Sequence, residues 1–407
     1  MKGEHMSVYE QRIQRIAADY QRTLNLKNNP VEGNGVFERF EHPVLTAAHI
    51  PPAWKYDLNP ATNPLLLERM GVNCVFNPGA MEFDGKVVLV ARVEGNDRKS
   101  FFAVAESDSG VDGFRFWSHP IRVPQTDDWD VNAYDMRLVR HEDGWIYGLF
   151  CSERRDPDAP ATDTSAAVAQ CGIVRTHDLK NWERLPDLQT PSPQQRNVVL
   201  HPKFIGGKYA LYTRPQDGFI STGSGGGIAW GLCHSMENPV VDAEILIDPR
   251  DYHTIKEVKN GQGPAPVWSP EGWIHVAHGV RNTAAGLRYV LYVFMTAMEE
   301  PWRVIRRPGG FFLAPEGEER IGDVSNVAFC NGLVQRADGT VLIYYASSDT
   351  RCHVARTSVE RLLDYCKNTP KDPLFSHLCV EQRCAIIDSN IRYLETLPDD
   401  SALKQLL

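Results

Sequence analysis

Ala337-Asp-Gly-Thr-Val-Leu-Ile-Tyr-Tyr-Ala-Ser-Ser-Asp349 is a glycine turn that runs into a short apolar strand and ends on polar residues. The same phrase occurs four times before it: Glu82-Phe-Asp-Gly-Lys-Val-Val-Leu-Val-Ala-Arg92, Glu142-Asp-Gly-Trp-Ile-Tyr-Gly-Leu-Phe-Cys-Ser-Glu153, Ile205-Gly-Gly-Lys-Tyr-Ala-Leu-Tyr-Thr-Arg214 and Pro270-Glu-Gly-Trp-Ile-His-Val-Ala-His278. The anchoring glycines, Gly85, Gly144, Gly207, Gly272 and Gly339, lie 59, 63, 65 and 67 residues apart. A regular period of this size means one supersecondary unit repeated, and four-stranded units repeated radially make a β-propeller. The strands are apolar on both faces, as buried stacked sheets require. The expected fold is therefore all-β, a five-bladed β-propeller over residues 61–360.

Outward from the repeats, residues 7–27 predict an amphipathic helix with Ile13, Ile16, Ala17, Tyr20 and Leu24 on one stripe. With a Pro- and Asn-rich linker it makes an N-terminal extension, 1–60, that either packs outside the propeller or contacts another subunit. At the other end, 361–407 reads as a partly helical extension packed on the propeller. Val359–Lys367 and roughly Ala385–Thr396 are its helical or irregular pieces.

Composition narrows the function. The chain has 407 residues with 42% hydrophobic content, enough for one large closed array. No apolar run of about 18 residues exists, so no membrane span is expected. The N-terminal Met1–Met6 lacks the apolar stretch of a secretory signal. Nine cysteines are scattered without a Cys-x-x-Cys pair, which fits reduced thiols of a cytoplasmic protein better than disulfides or zinc. A net charge of −9 with no basic stripe argues against nucleic acid as a partner.

Repetition around an axis brings equivalent positions to one mouth. The positions before the inner strand and after the second strand are Asn77 with Arg92, Asp135 with Glu153, Arg196 with Arg214, Lys259 with His278, and Asn326 with Asp349. Arg98 and Tyr289 belong to the same rim. Arg196, Arg214 and Lys259 are poor neighbours for a general base but a good cradle for an oxyanion. Glycoside hydrolysis usually needs two carboxyl groups; if phosphate attacks, the nucleophile arrives ionised and one acid suffices. Asp135 is the candidate. Period two also places Arg137 on its side of the strand, where a cation competes with a proton-donor role. Two other readings stand beside this one. A hydrolase would use Glu153 or Asp349 to activate water, and a sugar-binding propeller would have no catalysis. Gly223–Gly227 reads as a flexible rim loop, since no βαβ unit surrounds it.

At these residues the chain resembles the mannoside phosphorylases of glycoside hydrolase family 130, and most of all the branch acting on β-1,4-mannosyl-glucose. The likeness runs from about Val72 to Thr357. It is carried by Phe76-Asn-Pro-Gly-Ala80, Ala91-Arg-Val-Glu-Gly-Asn-Asp-Arg98, Tyr134-Asp-Met-Arg137, Gln195-Arg-Asn-Val-Val-Leu-His-Pro202, Thr213-Arg-Pro215, Lys259-Asn-Gly-Gln-Gly-Pro264, Ala277-His-Gly-Val280 and Tyr344-Tyr-Ala-Ser-Ser-Asp349. The resemblance implies reversible, inverting phosphorolysis of a β-mannoside to α-mannose 1-phosphate and glucose. Asp135 would be the acid, passing its proton through the 3-hydroxyl of the mannosyl unit. Arg196, Arg214, Lys259, His278 and Tyr289 would hold phosphate; Asn77, Arg92, Arg98, Tyr134 and Asp349 would hold the mannosyl ring. It implies no metal and no cofactor, with inorganic phosphate as co-substrate, small sugars as the other partners, and a homo-oligomer. The run Tyr-Asp-Met-Arg departs from the Glu-Asp-Pro-Arg of branches acting on longer chains. Mannosyl-N-acetylglucosamine and β-1,4-manno-oligosaccharides are the alternative substrates.

Overall fold

The computed structural model describes residues 6–126 and 129–406; Met1–His5, part of the stretch examined for a secretory signal, and Leu407 lie outside them. Helix α1 (Val8–Leu24) opens the chain behind a Ser7 capping box, followed by the pair β1 (Pro30–Val31) and β2 (Arg39–Phe40) and the turn of helix α2 (Pro52–Lys55). Five antiparallel sheets then succeed one another in chain order. The first is β3 (Val72–Phe83), β4 (Lys86–Gly95), β5 (Ser100–Ser107) and β6 (Arg115–Phe116); the second is β7 (Asn132–Arg140), β8 (Ile146–Arg155), β9 (Ala167–Thr176) and β10 (Glu183–Leu185). The third holds β11 (Val199–Leu200), β12 (Tyr209–Thr213), β13 (Ile228–Cys233) and β14 (Ile245–Asp248). In the fourth, β15 (Lys259–Gln262) and β16 (Val267–Ser269) both pair with β17 (Gly272–Thr283), which continues to β18 (Gly286–Thr296) and β19 (Val304–Arg306). The fifth has β20 (Ala328–Gln335), β21 (Thr340–Ser347) and β22 (Arg351–Ser358). This is a five-bladed β-propeller.

Each of the five anchoring glycines sits in the turn between the first two strands of a blade or opens the second, and all five have positive φ, from +76° to +148°. A side chain is disfavoured there, so the glycine marks each blade in the sequence. Apolar side chains on the facing sides of neighbouring blades interdigitate, as Leu89, Val93, Leu342 and Val354 do between the first and fifth.

The ring closes through the N-terminal segment. Glu38 and Arg356 exchange both backbone hydrogen bonds at 2.8 Å, while Val44 N–H donates to the Cys352 carbonyl at 2.8 Å and Cys352 N–H to that of Leu45 at 2.9 Å. Residues 38–45 thus flank β22 as an outer fourth strand, tying the start of the chain to its last blade. Leu45 is fully buried in the core shared with Val75 and Val354. Leu45→Ala is expected to cost about 2–5 kcal/mol, the range for a buried leucine truncated in a packed core, read as a lower denaturant midpoint at unchanged slope.

The predicted stripe of α1 turns toward its own chain, with two corrections. The helix stops at Leu24, and Ala17 is exposed while Tyr9 and Arg12 join the inner face. Tyr9 Oη donates to the Leu58 carbonyl at 2.6 Å and Arg12 Nε to that of Leu66 at 3.1 Å. After β22, helix α3 (Val359–Asn368) buries Leu362 and Cys366 against the fourth and fifth blades. Helix α4 (Ser376–Glu395) follows and has no buried residue. Among the described residues no helix is long and apolar enough to cross a membrane.

Candidate active site

Four of the five inner strands break at the same level, and the breaks carry the site. Pairing shifts between Phe76 and Gly79 in β3, between Tyr134 and Arg137 in β7, and between Cys330 and Gly332 in β20. In the fourth blade residues 263–266 separate β15 from β16. The sequence there is Asn77-Pro-Gly79, Asp135, Gly263-Pro264 and Asn331-Gly332. Asn77 and Asp135 hold φ of +44° and +62°, a region Asn and Asp enter more readily than other side chains. A bulge adds a residue and re-aims a side chain. Here the breaks in β3 and β7 point Asn77 and Asp135 at a cavity of about 720 Å³ at the propeller mouth.

Ten of the eleven candidate residues line that cavity: Asp135, Arg196, Arg214, Lys259, Tyr289, Asn77, Arg92, Arg98, Tyr134 and Asp349. Asn326, named above only as a rim position, does not line it; its carbonyl accepts from Tyr289 N–H at 3.0 Å and so fixes the start of β18.

On one side stands Asp135. Its Oδ1 accepts from Asn77 Nδ2 at 2.9 Å and from Arg92 Nη1 at 3.2 Å. No described residue donates to Oδ2. Arg92 is held between the rings of Phe76 and Tyr134, at 4.3 and 4.5 Å, and gives its other nitrogens to Glu94 (2.7 Å) and Ser100 (2.9 Å). The cation that meets the carboxylate is therefore Arg92 and not Arg137, because the bulge breaks the alternation. Arg137 is buried below, with Nη1 on the Asp135 carbonyl (3.0 Å), Nε on the Gly263 carbonyl (3.0 Å) and Nη2 on Asn197 Oδ1 (2.6 Å). It joins three blades and pins the backbone that presents the acid. A second carboxyl group, Asp349, also faces the cavity. Burial first, and the Asp135 charge second, push its pKa up to about 7, with Arg92 opposing.

On the other side the cations gather. Arg196 donates to Tyr134 Oη at 3.0 Å and the Phe219 carbonyl at 3.1 Å; Arg214 donates to Gln216 Oε1 at 2.9 Å. Lys259 Nζ lies 5.8 Å from the centre of the Tyr289 ring. Arg196, Arg214 and Lys259 form no ion pair among the described residues, and Arg214 Nε is buried without a partner. Burial first, and repulsion from Arg214 and Arg196 second, lower Lys259 to about 7; burial first, and repulsion from Arg196 second, lower Arg214 to about 9. Buried charges without a counter-charge are costly. A group with several anionic oxygens is the partner that suits such cations.

His278 is the eleventh residue and does not line the cavity. It is fully buried, its ring 4.5 Å from Phe329, and both ring nitrogens lack partners. Burial, then the charges of Arg214, Arg137 and Lys259, hold its pKa far below the usual value, so it stands neutral behind the cations. A Cβ on Gly261 would come within 2.6 Å of this ring, which explains the glycine beside Lys259.

Lining residues not named as candidates include Glu94, Asn197, Phe219 and Phe329. Glu94 is two residues from Arg92 on the same strand face, a signal present in the sequence. Asn197 and Phe329 emerge only from the folded geometry. Phe219 comes from the glycine-rich rim loop, and its ring lies 4.4 Å from the Arg196 guanidinium carbon. That loop is tied down as well, since Ser224 N–H donates to Asp217 at 2.8 Å.

A model of the β-1,4-mannooligosaccharide phosphorylase family matches residues 53–368. The 4-O-β-D-mannosyl-D-glucose phosphorylase of Bacteroides fragilis is 59% identical over 96% of this chain and 100% of its own. The β-1,4-mannooligosaccharide phosphorylase of Ruminococcus albus is 27% identical over 77% of this chain and 91% of its own. Among solved structures, a β-1,2-mannobiose phosphorylase from Listeria innocua superposes with a TM-score of 0.64 at 18% identity, over 84% of this chain and 99% of that one, and shares the fold.

Proposed function

Because the chain belongs to glycoside hydrolase family 130, the mannoside phosphorylases, we propose that it cleaves β-1,4-mannosyl-glucose with inorganic phosphate, inverting the anomeric carbon. A phosphate oxygen attacks C1 of the mannosyl unit on the face opposite the glycosidic bond. The C1–O bond breaks, and the departing oxygen takes a proton that starts on Asp135 Oδ2 and passes through the mannosyl 3-hydroxyl. The products are α-mannose 1-phosphate and glucose. Bond energy is kept in the sugar phosphate, so the reaction is reversible.

The supporting observation is the division of the cavity. Three cations without carboxylate partners stand on one side, and a carboxyl group with one oxygen free of protein donors stands on the other. Arg196, Arg214, Lys259 and Tyr289 hold phosphate, with neutral His278 packed behind them. Asn77, Arg92, Arg98, Tyr134 and Asp349 hold the mannosyl ring. The scheme uses no metal or cofactor: phosphate brings its own charge. Mannosyl-N-acetylglucosamine and manno-oligosaccharides are the competing acceptor types. The enzyme works in the cytoplasm, a reading supported by nine free cysteines, seven of them buried, and it does so as a homo-oligomer.

The test is incubation with β-1,4-mannosyl-glucose with and without phosphate, resolving the anomer by NMR. The expected result is α-mannose 1-phosphate formed only with phosphate. Free mannose released at full rate without it would point to a hydrolase and overturn the proposal.

A further inference from the structure

Helix α4 leaves the propeller with nothing against it. None of its residues is buried, and its one side-chain hydrogen bond outside the helix among the described residues runs from Gln382 Nε2 to the Lys371 carbonyl at 3.1 Å. The helix nonetheless carries many exposed apolar side chains. Val380, Cys384, Ile387, Ile391 and Leu394 are spaced four, three, four and three apart, the a and d repeat of a coiled-coil seam, and Ile386 and Tyr393 widen the exposed apolar surface beside it. Val380 is 61% exposed, and Ile387 and Ile391 are each 40% exposed.

We infer that α4 pairs in parallel with α4 of a second copy of this chain, about a twofold axis running along the two helices. This rests on the homo-oligomer reading above and names a surface for it; α1 turns its inner face toward its own chain. Charge sets the direction. With Cys384 and Ile391 at the a positions and Val380, Ile387 and Leu394 at d, the flanking e positions are Glu381, Asp388 and Glu395, and the g positions include Arg383 and Asn390. Parallel pairing brings Arg383 to Asp388 of the second copy, and Asn390 to its Glu395. An antiparallel pair would set the three acidic e positions against one another. Parallel pairing also brings Cys384 face to face with its twofold mate, while Cys379, off the seam, points elsewhere.

Two measurements on the full chain test this. Light scattering of the doubly substituted Ile387→Glu, Ile391→Glu protein is expected to show about half the wild-type mass or less, with phosphorolysis retained because α4 touches no part of the cavity. Mild oxidation with diamide is expected to give a two-chain species in wild type and Cys379→Ser but not in Cys384→Ser. An oligomeric wild type whose mass survives the double substitution overturns the seam and leaves the homo-oligomer reading standing. A monomeric wild type removes both. Loss of mass without any Cys384 cross-link overturns the parallel arrangement.

Discussion

Asp135→Asn is expected to lower turnover of β-1,4-mannosyl-glucose by ~10²–10⁴-fold, the usual effect of losing a general acid, with little change in the KM for phosphate. The substitution is close to isosteric. An amide oxygen still accepts from Asn77 and Arg92, which contact Oδ1 in the native protein, so the packing around Arg92 stays intact. What disappears is the proton that Oδ2 must supply. A mannoside with a nitrophenol leaving group needs little protonation, so the deficit should shrink on that substrate. A merely structural defect would not discriminate between the two. Asp349 is the comparison that gives the experiment its force. Its carboxyl group titrates near 7, a value suited to an acid, but it is assigned to the mannosyl ring. Asp349→Asn should chiefly raise the KM for the disaccharide. Should the larger loss of turnover fall on Asp349→Asn, with the dependence on leaving group moving to that variant, the two assignments are exchanged.

How much of this was legible in the sequence depends on whether a residue's role follows from backbone conformation or from a departure from it. The blades could be counted because positive φ at Gly85, Gly144, Gly207, Gly272 and Gly339 leaves glycine at each turn. The cavity residues could be gathered because strands of equal phase end at one mouth. Alternation then misled at Arg137, because a one-residue bulge exchanges the faces of a strand. Asp-Met-Arg carries no mark of that slip beyond an aspartate able to adopt positive φ. His278 obeyed alternation, yet its ring lies behind Lys259 because Gly261 leaves room for it. Ring closure by residues 38–45 was hidden for another reason: an outer strand held by backbone hydrogen bonds to β22 needs no repeat motif. In α4 the heptad was present in the sequence, but a short apolar helix reads the same whether its partner lies in its own chain or in another.

Lys259→Met is expected to raise the KM for phosphate by about 10- to 100-fold, the equivalent of losing a charged hydrogen bond of about 1.5–3 kcal/mol, with a smaller effect on turnover. The pH dependence separates this from simple damage. In the free protein Lys259 loses its proton as pH rises through about 7, first because it is buried and second because Arg214 and Arg196 repel it. Bound phosphate restores the ammonium form, so binding must recover that proton from solvent above pH 7. Affinity should therefore weaken with rising pH, by up to about tenfold per unit for one coupled proton. Phosphate's own second ionisation acts in both proteins, and Lys259→Met, which has no proton to recover, isolates it. The stability sign is opposite. A lysine whose folded pKa lies below its unfolded value costs stability in full below about 7, and that cost fades as pH rises toward the ordinary lysine range. Lys259→Met should therefore melt higher than wild type at pH 7 without phosphate, and phosphate should raise its melting temperature less. If the variant melts lower and binds phosphate as well as wild type, Lys259 is a structural residue and the cradle loses one of its three charges. The expected trade follows from electrostatics: cations kept buried and unpaired strain the free enzyme, and the anion that relieves the strain is the nucleophile.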